Sequence, residues 1–461
     1  MNQLPDGLLL SWYGDDFTGS AASLEVLAFA GVPSVLFLAP PTQKQLACFG
    51  NLSAIGIAGT ARSQTPAWMD ENLPAIYAFM ADAGAPVLHY KICSTMDSSP
   101  TIGSIGRATD LAQKTFHSRC VLLLPAAPGM GRYQAFGHLF AIAGDEVFRI
   151  DRHPVMAHHP VTPIDESDVA RHIGRQTKRT FGLMDVRALA SDATADEALA
   201  SLIGAGAEII SVDAMTDDDL RTIGRLVWRH RDRNRFVVGS QGLQYALVAH
   251  WRELGWLSEA QEPPGRGAAD LMPIVSGSVS ETTRQQIDWA TDHGFTGVAF
   301  DAAAIAAGPQ ATARAVDDAV AAGLAAAASG QNPLVYTARG PQDPAFAAAR
   351  QAFRQAGLDT EVANGRLGEA LGQVLSRLLD RTGATRAIIS GGDTSSHAAQ
   401  HLGIFALTAA APTVPGAALF DAHTEHDTRP LEIALKGGQM GTPDYFGWIR
   451  EGGGIAGRKT I

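Results

Sequence analysis

Apolar residues along this chain fall into short unbroken runs, each closed by a polar, glycine-rich turn and followed by a stretch with helical spacing. Residues 8–13 form the first run, Gly14-Asp15-Asp16 ends it, and residues 17–30 then carry Ala21, Leu24, Leu27 and Ala28 at the spacing of a helix face. Further runs at 35–38, 54–58, 86–90, 120–124, 181–184, 208–212 and 236–238 predict strands, with a helix over 67–83. Unbroken runs, as opposed to alternating ones, predict strands buried on both faces, which means parallel sheets covered by helices. The turn-rich segment 257–270, with Pro263-Pro264-Gly265, is the best domain boundary. Beyond it the pattern resumes, with strands predicted at 271–275, 334–337, 387–389 and 431–435. Helices are predicted over 281–293, 311–329 and 365–381, and a short one over 397–402. The expected fold is α/β, in two domains covering 1–260 and 271–461, each with a mostly parallel sheet flanked by helices. No internal repeat is visible in the sequence, although both halves share the α/β alternation.

Composition narrows the function classes. With 461 residues and 46% apolar content, the chain can bury two or three cores. A formal net charge of −11 argues against a nucleic-acid partner, which calls for a basic surface. Cys48, Cys93 and Cys120 are isolated, so neither a disulfide framework nor a paired-cysteine zinc site is expected. No signal peptide is apparent, and the apolar runs fall short of the roughly 20 residues that a membrane helix needs. A cytoplasmic protein without a membrane partner is expected, and a homodimer is left open. The three histidines between 153 and 159 sit beside prolines and read as structural, so no metal site is assigned to protein ligands.

The chemistry gathers at strand ends, where open α/β sheets bind ligands. In the first half these ends carry Asp15 and Asp16, then Arg62, then Lys91 with Cys93, Ser94 and Thr95. Arg62 and Lys91 suit a carboxylate, while the hydroxyls and aspartates suit a polyol. The plain alternative is that Asp16 caps a helix and Asp15 lies in solvent. In the second half three glycine-and-hydroxyl turns follow strands: 276–280 with Ser278, 390–396 with Gly391, Gly392, Asp393 and Thr394, and 436–441 with Lys436, Gly437 and Gly438. Such turns present backbone N–H groups to phosphate, or else are ordinary turns capped by Thr394 or Ser395. No P-loop and no dinucleotide fingerprint is present. An acid-and-polyol half beside a phosphate half suggests phosphoryl transfer, with Asp15 or Asp16 as base and Lys91, Lys436, backbone amides and Mg²⁺ meeting the developing charge.

These segments together resemble the four-carbon acid sugar kinases. The resemblance is carried by Asp15-Asp16-Phe17-Thr18-Gly19-Ser20, Tyr90 through Ser98, Pro125-Ala126, Gly131-Arg132, Gly137-His138-Leu139 and His159-Pro160-Val161-Thr162-Pro163. It continues through Ser276 to Ser280, Gly391 to Ser395 and Lys436-Gly437-Gly438, and so spans nearly the whole chain in order. It implies an N-terminal sugar-acid domain, a C-terminal ATP domain, and phosphorylation of threonate, erythronate or an oxo-tetronate with ATP and Mg²⁺. By position, Asp16, Arg62 and the Lys91–Ser94 segment would hold the acid, and Ser278, Gly391 to Thr394 and Gly438 the ATP. Asp393 stands where glutamate is common in that family, Ser396-His397 replaces smaller residues, and Gln439-Met440 replaces an asparagine–aromatic pair. These departures place the chain on a side branch. A non-catalytic acid sensor on the same scaffold is the alternative, and an oxidoreductase or epimerase is disfavoured by the missing fingerprint.

Overall fold

A computed structural model describes residues 3–159, 161–259, 263–425 and 430–459; within these, the side chains of Asp393 and Ser396 lie outside the described residues, as does all of Pro160. The chain divides into two compact units, Met1–Ala260 and Gln261–Ile461.

In the first unit, β1 (Leu10–Gly14), β2 (Ser34–Phe37), β3 (Ala54–Ala58), β4 (Val87–Lys91) and β5 (Val121–Leu124) are buried throughout. The short strands β6 (Arg132–Ala135), β7 (His138–Ala143) and β8 (Glu146–Arg149) form a separate antiparallel sheet. The chain then returns to the main sheet with β9 (Phe181–Met184), β10 (Ile209–Val212) and β11 (Phe236–Gly239). The main sheet runs β2-β3-β1-β4-β11-β5-β10-β9 and is parallel throughout. Strands buried on both faces have no polar side to turn to solvent, which is why they read as continuous apolar runs. One face packs Tyr13, Leu88, Tyr90, Leu123 and Phe236 against Met69, Leu73 and Tyr77 of the Pro66–Asp82 helix.

In the second unit, β12 (Ile274–Ser276), β13 (Phe295–Ala299), β14 (Asn332–Tyr336) and β15 (Arg386–Ser390) are followed by β16 (Ile404–Ala411), β17 (Leu419–Thr424) and β18 (Leu431–Lys436). Their order is β13-β14-β12-β15-β18-β17-β16. The first five of these are parallel, and β17 and β16 continue antiparallel from β18. The core joins Ile274, Leu334, Ile388 and Ala434 with Ile287, Tyr445, Phe446 and Ile449.

The two units share a wiring that the sequence did not disclose. In each, the first strand is followed outward to an edge strand, back to the strand between them, and then across to the first strand's other side. The orders β2-β3-β1-β4 and β13-β14-β12-β15 are therefore equivalent. A reversal of this kind opens a crevice beyond the carboxyl ends of the central strands. Two sequence-based boundaries need correction. The helix after β15 runs Gly392–His401 and does not begin at 397, because glycine's poor propensity hid its first turn. The preceding helix runs Thr360–Thr382, capped by Asp359, and so starts before 365.

Candidate functional site

In the first unit, hydrogen-bond register brings the strand ends together. Gly14 pairs with Ala58 of β3 and with Lys91 of β4. Asp15 N donates to the Lys91 carbonyl (2.9 Å), and Arg62 N donates to the Asp15 carbonyl (2.8 Å). Asp15 is therefore locked between two neighbouring turns, and its carboxylate is buried instead of lying in solvent. Asp16 does cap the Phe17–Phe29 helix, accepting from Gly19 N (3.1 Å) and Thr18 Oγ1 (2.8 Å), yet its side chain stays 23% exposed. Capping and a place in the cluster are thus both true of it.

Arg62 Nη2 stands 2.6 Å from Oδ1 of both aspartates. Its charge is already engaged by protein carboxylates, so it is less available as a substrate clamp than its position in the sequence suggested. Lys91 differs. Its side chain is buried, yet no described residue accepts a hydrogen bond from Nζ. Nζ and Asp16 Oδ1 flank the point that a Cβ on Gly19 would occupy, at 2.1 and 2.3 Å. Gly19 thus keeps open the space between the ammonium and the carboxylate.

Burial pushes the Asp15 carboxyl up from its ordinary value, against the pull of Arg62. Burial acts the same way on Asp16, but the charges of Arg62 and Lys91 and the bonds from Thr18 and Gly19 outweigh it and hold that carboxyl below the usual range. The remaining predicted residues follow β4. Cys93 Sγ lies 2.8 Å from Thr95 Oγ1, which donates to Asp97 Oδ1 at 2.6 Å. Burial and the Asp97 charge push the Cys93 thiol up, so it stays protonated. Ser94 is buried beside them. Met96, with φ 57°, turns the chain through the left-handed region within this segment. Asp97 was missed as a site residue. Alternation alone did not point to it: the chain turns here, Met96 N donating to the Cys93 carbonyl (3.0 Å), and that turn brings the three side chains together.

In the second unit the register again aligns three turns, because Ser276 pairs with Ser390 and Ser390 with Lys436. Gly277 N donates to the Ser390 carbonyl (3.0 Å) and Gly391 N to the Lys436 carbonyl (2.9 Å). Thr283 Oγ1 donates to Ser278 Oγ (2.9 Å), and Ser280 Oγ donates to the Gly438 carbonyl. Glycine is required where hydroxyls crowd the backbone: a Cβ on Gly277 would lie 2.2 Å from Thr394 Oγ1, and one on Gly438 2.5 Å from Ser278 Oγ. Gly391 adopts φ 124°, and Gly392 faces open space. Ser395 N makes the first bond of the Gly392–His401 helix, back to Gly391 O (2.8 Å), which leaves the preceding amides of that turn without an intrahelical partner. Free amides at a helix start, hydroxyls and small residues suit the phosphates of a nucleotide. Gly437 belongs to the same turn, whereas Lys436 Nζ lies fully buried beneath it. Thr394 is inside the helix and not at its cap, and the side chain of Asp393 lies outside the described residues. Ser280 and Ser390 lie within the turns singled out from the sequence, whereas Thr283 was missed; the S-x-x-T pattern of a helix start, Ser280 to Thr283, was its sequence signal.

Among the described residues no group of three or more His, Cys, Asp or Glu could hold a metal ion. In the proline-rich loop, His153 Nδ1 accepts from Val155 N and Met156 N, and His159 Nδ1 accepts from Thr162 N. Among the described residues, no helix is long and apolar enough to cross a membrane.

Comparison with known proteins places both units. Residues 10–247 match a family model described as a sugar-binding N-terminal domain, and residues 274–446 one described as a nucleotide-binding C-terminal domain. The chain is 41% identical over 449 residues to a 3-oxo-isoapionate kinase of Paraburkholderia graminis, covering 97% of this chain and 95% of that protein. It is 30% identical to a 3-oxo-tetronate kinase of Cupriavidus necator, covering 95% of each. A solved structure from Salmonella typhimurium LT2 shares the fold, with a TM-score of 0.76 at 24% identity, covering 96% of this chain and 98% of that one.

Proposed function

The chain belongs to the four-carbon acid sugar kinase family, and from that premise we propose that it is a cytoplasmic, ATP-dependent kinase phosphorylating a hydroxyl of a small 3-oxo sugar acid. Acids of the isoapionate and tetronate kind are the first candidates, since the relatives at 41% and 30% identity are named for them. One observation supports the acid site above the rest: the buried Lys91 ammonium has no hydrogen-bond acceptor among the described residues and stands beside Asp16. A buried ammonium carries three donors and calls for oxygen partners, which a bound sugar acid brings.

In this reading Asp15 holds Arg62 in place, and Arg62 in turn orients Asp16. Lys91, Ser94 and Thr95 bind the acid, with Cys93 contributing a protonated thiol. Asp16, the more open of the two aspartates, receives the hydroxyl proton as the substrate oxygen bonds to the γ-phosphorus and ADP leaves. The amides of Gly391 to Thr394, with Ser278, Gly437 and Gly438, cradle the phosphates. Mg²⁺ accompanying the nucleotide would supply charge neutralisation at the phosphates. Among the described residues no cluster of His, Cys, Asp or Glu forms a metal cage, which fits an ion bound chiefly through phosphates and waters.

The test is ADP release with ATP and Mg²⁺ over a panel of 3-oxo-isoapionate, 3-oxo-tetronates, threonates and erythronates. Turnover with one or more of these acids is expected. Background ADP with all of them would refute the proposal.

A further inference from the structure

Lys436 is one of the largest fully buried side chains in the protein. Its Nζ donates to Thr283 Oγ1 (3.2 Å), Ser390 Oγ (3.1 Å) and the Gly437 carbonyl (3.2 Å). These oxygens belong to three different elements: the Glu281–Thr291 helix that starts after β12, the last residue of β15, and the turn after β18. All three N–H bonds are therefore spent within the protein, and none is left to point at a ligand.

Every group that meets the ammonium is neutral. Thr283 faces it from the Glu281–Thr291 helix, Ser390 from β15, and Gly437 from its own turn. Glu281 on that helix is exposed and paired with Arg284. Burial alone pulls the Lys436 ammonium down to about 7, and no charged side chain among the described residues offsets it. The network can hold either form. Three acceptor oxygens match the three hydrogens of an ammonium. A neutral amine keeps two hydrogens and a lone pair, to which the Ser390 hydroxyl can donate by rotating. Only the charge distinguishes the two states, and an anion seated on the turns favours the charged one.

From this geometry we infer that Lys436 is a positioning residue and not a phosphate ligand: it ties the helix start after β12, the end of β15 and the turn after β18 together, and the nucleotide's phosphates draw it into its ammonium form, so that nucleotide binding takes up a proton. The inference rests on the kinase reading of these turns.

Titration calorimetry with a non-hydrolysable ATP analogue, in buffers of different ionisation enthalpy, measures the uptake directly. Wild type is expected to take up about one proton per nucleotide near pH 8 and close to none near pH 6, where the lysine is already charged. Lys436→Met, which keeps the length and removes the charge, is expected to lose the uptake. Lys436→Arg, charged at every pH, is expected to bind without it. The wild-type measurement stands even if a variant fails to fold. Nucleotide binding with no proton uptake near pH 8, or uptake that persists in Lys436→Met, overturns the inference and leaves the kinase reading intact. Wild type failing to bind nucleotide at all overturns both.

Discussion

Gly19 offers a sharp test of the acid site, because its replacement should separate stability from activity. The residue lies in the first turn of the Phe17–Phe29 helix with an ordinary helical backbone. Alanine there gains about 1 kcal/mol of helix propensity over glycine. The added methyl would nevertheless fall 2.1 Å from Lys91 Nζ and 2.3 Å from Asp16 Oδ1, well inside contact distance. The Lys91 side chain, being a flexible chain end, is the group that yields. Its ammonium leaves the position beside Asp16 while the fold around it survives. A hydrogen bond to a charged group contributes about 1.5–3 kcal/mol. Losing one to the substrate lowers kcat/KM for the acid by about 10- to 150-fold. The melting temperature should hold, or rise by roughly 2–4 °C for a unit of this size. Nucleotide affinity should not change, since the glycine lies in the other unit. Steady-state kinetics with saturating ATP, beside thermal denaturation of the same variant, gives both numbers. Unchanged kcat/KM would refute the placing of substrate against Lys91 and Asp16. A fall in melting temperature with parallel loss of nucleotide binding would mean that the glycine serves the fold and not the site.

Other expectations follow from the same geometry. Asp16→Asn should lower kcat by about 10²- to 10⁴-fold if the carboxylate accepts the hydroxyl proton, and a near-normal rate in stopped assays would leave it only as a helix cap. Gly277→Ala drives a methyl to 2.2 Å from Thr394 Oγ1 and should weaken nucleotide binding roughly tenfold, about 1.4 kcal/mol, with KM for the acid unchanged. His89 is held neutral by burial, its pKa lowered from 6.5 to about 3. The unfolded chain therefore binds the extra proton between those values, so this histidine's contribution is level above about pH 6.5 and falls by about 1.4 kcal/mol per unit as pH drops toward 3. Urea melts from pH 7 down to about pH 5 should show that slope in wild type and less of it in His89→Gln.

The strands were legible for a physical reason. A parallel strand buried on both faces has no alternative to a continuous apolar run, and its polar exit turn stands out against it. That logic alone locates Asp15, Asp16, Arg62 and Lys91 at strand ends, and the register of β1, β3 and β4 makes those ends neighbours. It did not reveal that Arg62 bridges both aspartates, because partner choice depends on distances that only the register of β1, β3 and β4 sets. It also did not reveal the partners of Lys436. A lysine before two glycines reads as a phosphate-binding charge, and only folding shows that its three hydrogens bond inward. The Gly392–His401 helix began where propensity argued against it, since the Gly391 carbonyl, bonded by both Ser395 N and Ser395 Oγ, starts the helix. The small sheet of β6 to β8 escaped notice because its strands are partly exposed, without the fully buried run that marks the main sheet.

The place of β4 bears on how the protein is made. Every acid-site residue is encoded between Asp15 and Asp97, yet β4 is paired on one side by β11, from Phe236 to Gly239. Ile92 N and His89 Nε2 both bond to the Gly239 carbonyl, at 2.8 and 2.9 Å. At a synthesis rate of about 5–20 residues per second, β11 leaves the ribosome roughly 7–30 s after β4. For that interval the nascent chain carries a flat, apolar strand with an open edge, the kind of surface that pairs with other chains. The position that Lys91 needs is settled only when a segment far downstream arrives to close the edge, so folding of the first unit is tied to completion of its sheet.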